Sequence, residues 1–290
     1  MDKYTQQLRV RTDECGADCR LHPAAILRWI QDIAEDHASS QGFGYQFCCR
    51  HRLAWVEFRL AIRIHRLPEW KQTLDAATWT YPASPLIAYR EFIISDTDGS
   101  PLIEATCQWV LIDARRRRPV ALKKHISHFP EVPQGSPSPL VPIDEKRLSL
   151  KSHGTNKTTD DTPDSVSDAA PCPVPSGNTA IPTRHFHAER SLVDFNRHIN
   201  NSAYLIWALD TIPDSWIAGK RPAEIFIAFN KETLPGEDLR SLLQLNDSDP
   251  APSSRHTILG RDGCARATLS IRWEPAPDAP DAPDIPSPEA

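Results

Sequence analysis

Apolar and polar residues alternate at the start of the chain, with Leu8 and Val10 on one side, as a half-buried strand requires. The period then lengthens. Ile26, Trp29, Ile30, Ile33 and His37 recur at spacings of three and four, Pro23 suits a first helical turn and Gly42 a stop, so a long helix is predicted between them. Beyond it Val56, Phe58, Leu60, Ile62 and Ile64 recur at a strict period of two, which predicts a strand with one apolar face. Further strands run through TLDAATWT, YREFIIS and LIEATCQWVLID, and the last two flank Asp98-Gly99, a favoured hairpin turn because glycine tolerates positive φ. One strand, one helix and several antiparallel strands make an α+β unit with the helix laid against a sheet.

The same order returns from about residue 181, which points to a duplicated domain. Asp18 and His22 stand four residues apart before the first helix, as Asp194 and His198 do before the second. Leu67-Pro68 and Leu234-Pro235 close the next strand in each half, and Trp109 and Trp273 each follow the glycine of an Asp-Gly pair by ten residues. The predicted organisation is one unit over 1–130 and another over 181–275. Between them, 131–180 contains the run HGTNKTTDDTPDSVSDAAPCPVPSGN, too poor in large apolar residues to offset its ordering entropy, and is expected to be a disordered linker. The tail 276–290, rich in Pro, Ala and Asp, is read the same way.

Composition narrows the class of function. With 24% charged residues of mixed sign and a net charge of -5, the chain has no basic footprint for nucleic acid. Its start, MDKYTQQLRV, lacks the apolar run of a signal peptide and no segment approaches a membrane span, so a cytoplasmic protein without a membrane partner is expected. The seven cysteines are odd in number and irregularly spaced, which argues against a disulfide framework, and Cys15 and Cys19 have no second pair at zinc-site spacing. No cofactor or metal is expected.

Candidate chemistry concentrates before the second helix. Val193-Asp194-Phe195-Asn196-Arg197-His198-Ile199-Asn200-Asn201 leads into SAYLIWALD, with Asn200 or Asn201 as the cap. Polar groups there face unpaired N–H groups and the positive end of a helix dipole, a good place for a developing oxyanion. Asp and Asn are also ordinary turn residues, so the string gains weight from IFIAFNKE, a strand ending in Glu232. The first half serves as a control: it keeps Asp18 and His22 but is read as having Arg20 in the place of Asn196 and His65 in the place of Glu232. A single site in the second half follows.

VDFNRHINNSAYLIWALDTIP resembles closely the signature of the acyl-ACP thioesterase family, and the first half adds similar stretches in IRIHRLPEWKQTLDAATWT, YREFIISDTDG and CQWVLIDARRRRPV. The resemblance implies two tandem hotdog domains, each an antiparallel sheet wrapped around a long helix, and hydrolysis of a fatty acyl thioester of acyl carrier protein. It carries over Asp194, Asn196, His198 and Glu232 as catalytic, with the helix start at Asn200 and Asn201 as oxyanion donor and either carboxylate as base. Plant members have a cysteine after that glutamate; here the residue is Thr233, and Arg197 replaces a commonly small residue. The basic run Arg115, Arg116, Arg117 and Arg118 is read either as a solvated loop or as a docking patch for the acidic carrier. An acyl-CoA thioesterase and a catalytically silent acyl-binding protein are the alternatives, and homodimerisation is left open.

Overall fold

A computed structural model describes residues 3–129, 139–143, 183–247 and 251–276. The first half runs β1 (Tyr4–Arg9), α1 (Pro23–Ser40), α2 (Tyr45–His51), β2 (Leu53–Ile64), β3 (Thr73–Pro82), β4 (Ile87–Ser95), β5 (Pro101–Asp113), β6 (Arg118–Pro119) and α3 (Leu122–His125). The second runs β7 (Thr183–His187), α4 (Asn201–Leu209), α5 (Asp214–Ile217), β8 (Lys220–Phe229), β9 (Asp238–Asn246), β10 (Ser253–Gly260) and β11 (Ala265–Pro275). All strands belong to one sheet ordered β1-β3-β4-β5-β2-β8-β11-β10-β9-β7, with β6 beside β5. The order of one half mirrors that of the other, and antiparallel pairing of β2 with β8, from Arg59↔Ala228 to Arg63↔Glu224, fuses the halves edge to edge. That junction removes two exposed sheet edges at once.

The two long helices pack on the sheet. Ile26, Trp29, Ile30, Ile33 and His37 of α1 are all buried, as their spacing predicts, and α4 buries Ala203, Tyr204, Leu205, Trp207 and Ala208 around most of its circumference. Leu60, Ile62 and Ile64 join α1, and Ile225 and Ile227 join α4, in one continuous core. Burying side chains of this size stabilises by roughly 1.5–3 kcal/mol each before ordering costs.

Two elements depart from the sequence pattern. The alternation expected over Val56–Ile64 is broken by a β-bulge between Glu57 and Arg59. An extra residue reverses the faces upstream of it, so Val56 is exposed at 37% while Glu57 is buried. Within the expected linker, residues 139–143 lie on the outer face of the junction: Val141 packs on Ala61 and Phe226, and the Leu140 and Val141 N–H groups donate to Glu91 Oε2 and Thr106 Oγ1 at 3.2 and 3.0 Å. The rest of that linker and the tail after Ala276 lie outside the described residues.

Candidate active site

The loop before α4 is held by its own backbone. Asp194 N donates to the His198 carbonyl at 2.9 Å, Arg197 N returns to the Asp194 carbonyl at 3.0 Å, and Arg197 takes φ +65°. The Asp194 carboxylate closes the turn, Oδ1 accepting from Asn196 N at 2.8 Å and His198 N at 3.3 Å. Ile199 N donates to the Thr233 carbonyl at 3.2 Å and so ties the loop to the segment carrying Glu232. These bonds bring His198 Nε2 within 3.0 Å of Glu232 Oε2.

A residue from the other half completes the cluster. Arg117, in the turn after β5, hydrogen-bonds through Nη2 to the same Glu232 oxygen. Partial burial pushes the Glu232 carboxyl upward, but the Arg117 hydrogen bond and the charges of His198, Arg117 and Lys231 outweigh it and hold the group below its ordinary value. Both partners converge on Oε2, and among the described residues Oε1 has no partner. Thr233 is 1% exposed, so the position after Glu232 offers no accessible nucleophile.

At the head of α4, Asn200 caps the helix, its side chain accepting from Ser202 N at 2.8 Å while its carbonyl takes Ala203 N at 3.0 Å. Among the described residues the Asn201 N–H is the one in this first turn left without a partner. The amides of both asparagines reach into the first half: Asn200 Nδ2 donates to Gln31 Oε1 at 3.0 Å and Asn201 Nδ2 to Glu57 Oε2 at 2.9 Å. Asn196 sits at the exposed rim beside Phe195, which is 63% exposed and packs edge-on against Tyr45 of α2 with ring centroids 4.8 Å apart.

The equivalent bonds in the first half correct the correspondence drawn from spacing. Gly16 N to Arg20 O matches Asp194 N to His198 O, Cys19 repeats the positive φ of Arg197, and His22 caps α1 through Nδ1 as Asn200 caps α4. His65 N and Arg66 N share the Leu102 carbonyl as Asn230 N and Lys231 N share that of Arg266. Arg20 thus stands in the place of His198, not Asn196, and Leu67, not His65, stands in the place of Glu232. The Asp-x-x-x-His and Leu-Pro coincidences are each out of register by two residues, whereas the hairpin turns at Gly99 and Gly263 do match, at φ +87° and +74°. An open cleft of about 730 Å³ remains at the first-half loop, lined by Arg20, His22, Leu67, Asp210 and Trp273 among others, without a counterpart of the His198–Glu232 pair.

Because His22 is a cap, His22→Ala is expected to lower stability by about 1 kcal/mol in denaturant unfolding and to leave turnover of the folded fraction near wild type. Loss of turnover equal to that of His198→Ala, in a folded protein, would contradict this assignment.

The signals behind Arg117 and Glu57 were not in the local sequence. Arg117 belongs to a run of four arginines that looked uniform, and only the β5–β6 turn, in which Asp113 Oδ1 accepts from Arg115 N and Arg116 N at 2.9 and 2.8 Å, singles it out.

Two fused units, each a sheet around a helix, define a double-hotdog protein, with one polar cluster among the described residues where a helix start meets a histidine and a strand-end carboxylate. Models of the acyl-ACP thioesterase N-terminal domain and C-terminal domain match residues 1–129 and 178–275, and the chain belongs to the acyl-ACP thioesterase family. It is 23% identical over 286 residues to the chloroplastic palmitoyl-acyl carrier protein thioesterase of Gossypium hirsutum, covering 94% of this chain and 64% of that protein. The chain therefore spans less than two thirds of that relative's length. Its fold matches the crystal structure of an acyl-ACP thioesterase from Bacteroides thetaiotaomicron at TM-score 0.70 and 21% identity, covering 94% of this chain and 98% of the other. The 12:0-ACP thioesterase from Umbellularia californica matches at TM-score 0.71 and 20% identity, covering 94% of each. Among the described residues no helix is long and apolar enough to cross a membrane.

Proposed function

We propose that this protein hydrolyses the thioester of fatty acyl-acyl carrier protein, releasing the free fatty acid and the carrier thiol. The observation that carries the reading is the 3.0 Å His198–Glu232 pair beside the head of α4. Glu232 Oε1 takes a proton from water as the oxygen attacks the thioester carbon, and the Asn201 N–H receives the developing oxyanion. Collapse breaks the carbon–sulfur bond, and the proton returns through Glu232 and His198 to the leaving thiolate. Asp194, with Oδ1 already engaged by two backbone N–H groups, serves the turn, which favours Glu232 as the base. Asn196 at the rim orients the incoming thioester.

The test is thiol release from acyl-carrier and acyl-CoA thioesters of matched chain length. Turnover of the carrier substrate with little on CoA supports the reading, and a wild-type protein that binds acyl-carrier without cleaving it defeats it.

Carrier docking is assigned to Arg115, Arg116 and Arg118, which flank the Arg117 that meets Glu232, on a chain whose net charge is -5. Arg117 is excluded because it serves Glu232. Replacing Arg115 and Arg116 together by Ala is expected to raise KM for acyl-carrier severalfold, to do so less at high salt, and to spare a small thioester lacking the carrier. Equal loss on both substrates would make the turn structural.

A further inference from the structure

We propose that the open cleft at the first-half loop binds a long-chain fatty carboxylate, with Arg20 receiving the carboxylate. The choice of ligand rests on the hydrolytic reading above, since a fatty acid is the product of that reaction; the cleft and its charge do not. The matched hydrogen bonds of the two loops show what the first half lacks. Arg20 stands where His198 does and Leu67 where Glu232 does, while Pro23, directly after the cap His22, stands where Asn201 does. Proline has no N–H, so the counterpart of the oxyanion donor is missing together with those of the histidine and the base. The loop keeps the backbone path of the thioester site without these three groups.

Positive charge stands in their place. The cleft, of about 730 Å³, falls within the roughly 300–1,000 Å³ of small-molecule sites and draws its lining from both halves. Arg20, Arg66, Lys220 and Arg221 line it, against the two carboxylates of Asp18 and Asp210. Arg66 is paired with Asp96 and Arg221 with Glu274, and Lys220 lies over the Trp216 ring and donates to the Trp216 carbonyl. Asp18 Oδ1 accepts from the Arg20 backbone N–H at 3.1 Å. The half-buried Arg20 guanidinium is the one of these four cations without a partner among the described residues.

Leu209 at the end of α4, Ile217 of α5 and Pro275 present apolar surface to the same cleft. Basic groups and apolar surface in one opening suit a ligand with an anionic head and an apolar body. A neutral thioester offers Arg20 a carbonyl oxygen, whereas a carboxylate offers two oxygens that match the planar guanidinium fork and neutralise its charge. The cleft accordingly takes the free acid in preference to the thioester.

Equilibrium dialysis of the full chain against decanoate tests this, with decan-1-ol and decyltrimethylammonium as probes of the same chain length. Wild type should bind decanoate about tenfold or more tightly than either, the effect of one charge-assisted pair. Arg20→Gln should remove that difference and Arg20→Lys should keep much of it, in proteins of wild-type circular dichroism. Thioester turnover by Arg20→Gln should stay at the wild-type level, and so should decanoate binding by His198→Ala. Equal affinity of wild type for the acid and the alcohol overturns the proposal, as does an Arg20→Gln protein that binds decanoate as wild type does. A loss of binding in His198→Ala equal to that in Arg20→Gln also overturns it, because the carboxylate would then lie at the catalytic loop. Binding is read without turnover, so a wild type that cleaves no thioester defeats the hydrolytic reading and leaves this result standing.

Discussion

Replacing Glu232 by Gln is expected to cut kcat/KM for an acyl-carrier thioester by about 10²- to 10⁴-fold, and His198→Ala by a similar factor. The amide keeps the shape of the carboxylate and can still accept from Arg117, so the fold should be preserved while the ability to take a proton is lost. His198 and Glu232 share a 3.0 Å contact and one proton path. Their effects should therefore not add: the double variant is expected to be little slower than the worse single one. Thiol-release kinetics on proteins of wild-type circular dichroism would check this. A folded Glu232→Gln variant within threefold of wild type would remove Glu232 from the chemistry and return attention to Asp194.

Arg117→Ala is expected to lower kcat/KM about tenfold on the acidic side of the profile and to move its acidic limb upward. The sign follows from the base. Glu232 works ionised, so activity falls as pH drops through its pKa; the Arg117 hydrogen bond and charge hold that pKa down, and removing them lets burial raise it. The limb of the variant must then lie at higher pH, and each unit of displacement corresponds to a tenfold loss where the carboxyl has become protonated. Arg117→Lys should restore part of the shift, since it returns the charge without the guanidinium geometry. A loss of rate with an unmoved limb would mean that Arg117 only anchors the β5–β6 turn. A rise in KM confined to carrier-borne substrates would return it to the docking patch with Arg115 and Arg116.

The chain's local patterns decided a good deal. Three-and-four spacing from Ile26 to His37 specified α1 and its buried face, because a helix of 3.6 residues per turn brings those positions to one side whatever it packs against. The Asp-Gly turns were legible for a similar reason: positive φ is a property of the single residue Gly99 or Gly263, and it held at equivalent points of both halves. Asp194 through Asn201 marked the helix head, since capping residues carry that information locally.

Position across the fold was another matter. Spacing aligned His22 with His198, yet the hydrogen bonds pair His22 with Asn200, because two loops that differ in side chains can share a backbone path without sharing a motif. Strict alternation placed Glu57 outward, and one extra residue in the bulge turned it inward. Nothing within a run of four arginines distinguishes the one that meets a carboxylate 115 residues away. The sequence by itself determined the elements, their repetition and the helix head that carries His198. Only the packing of the two halves decided that Arg117 would hold Glu232 and that Glu57 would lie buried against Asn201, since a contact between distant segments depends on where the joined sheet sets them side by side.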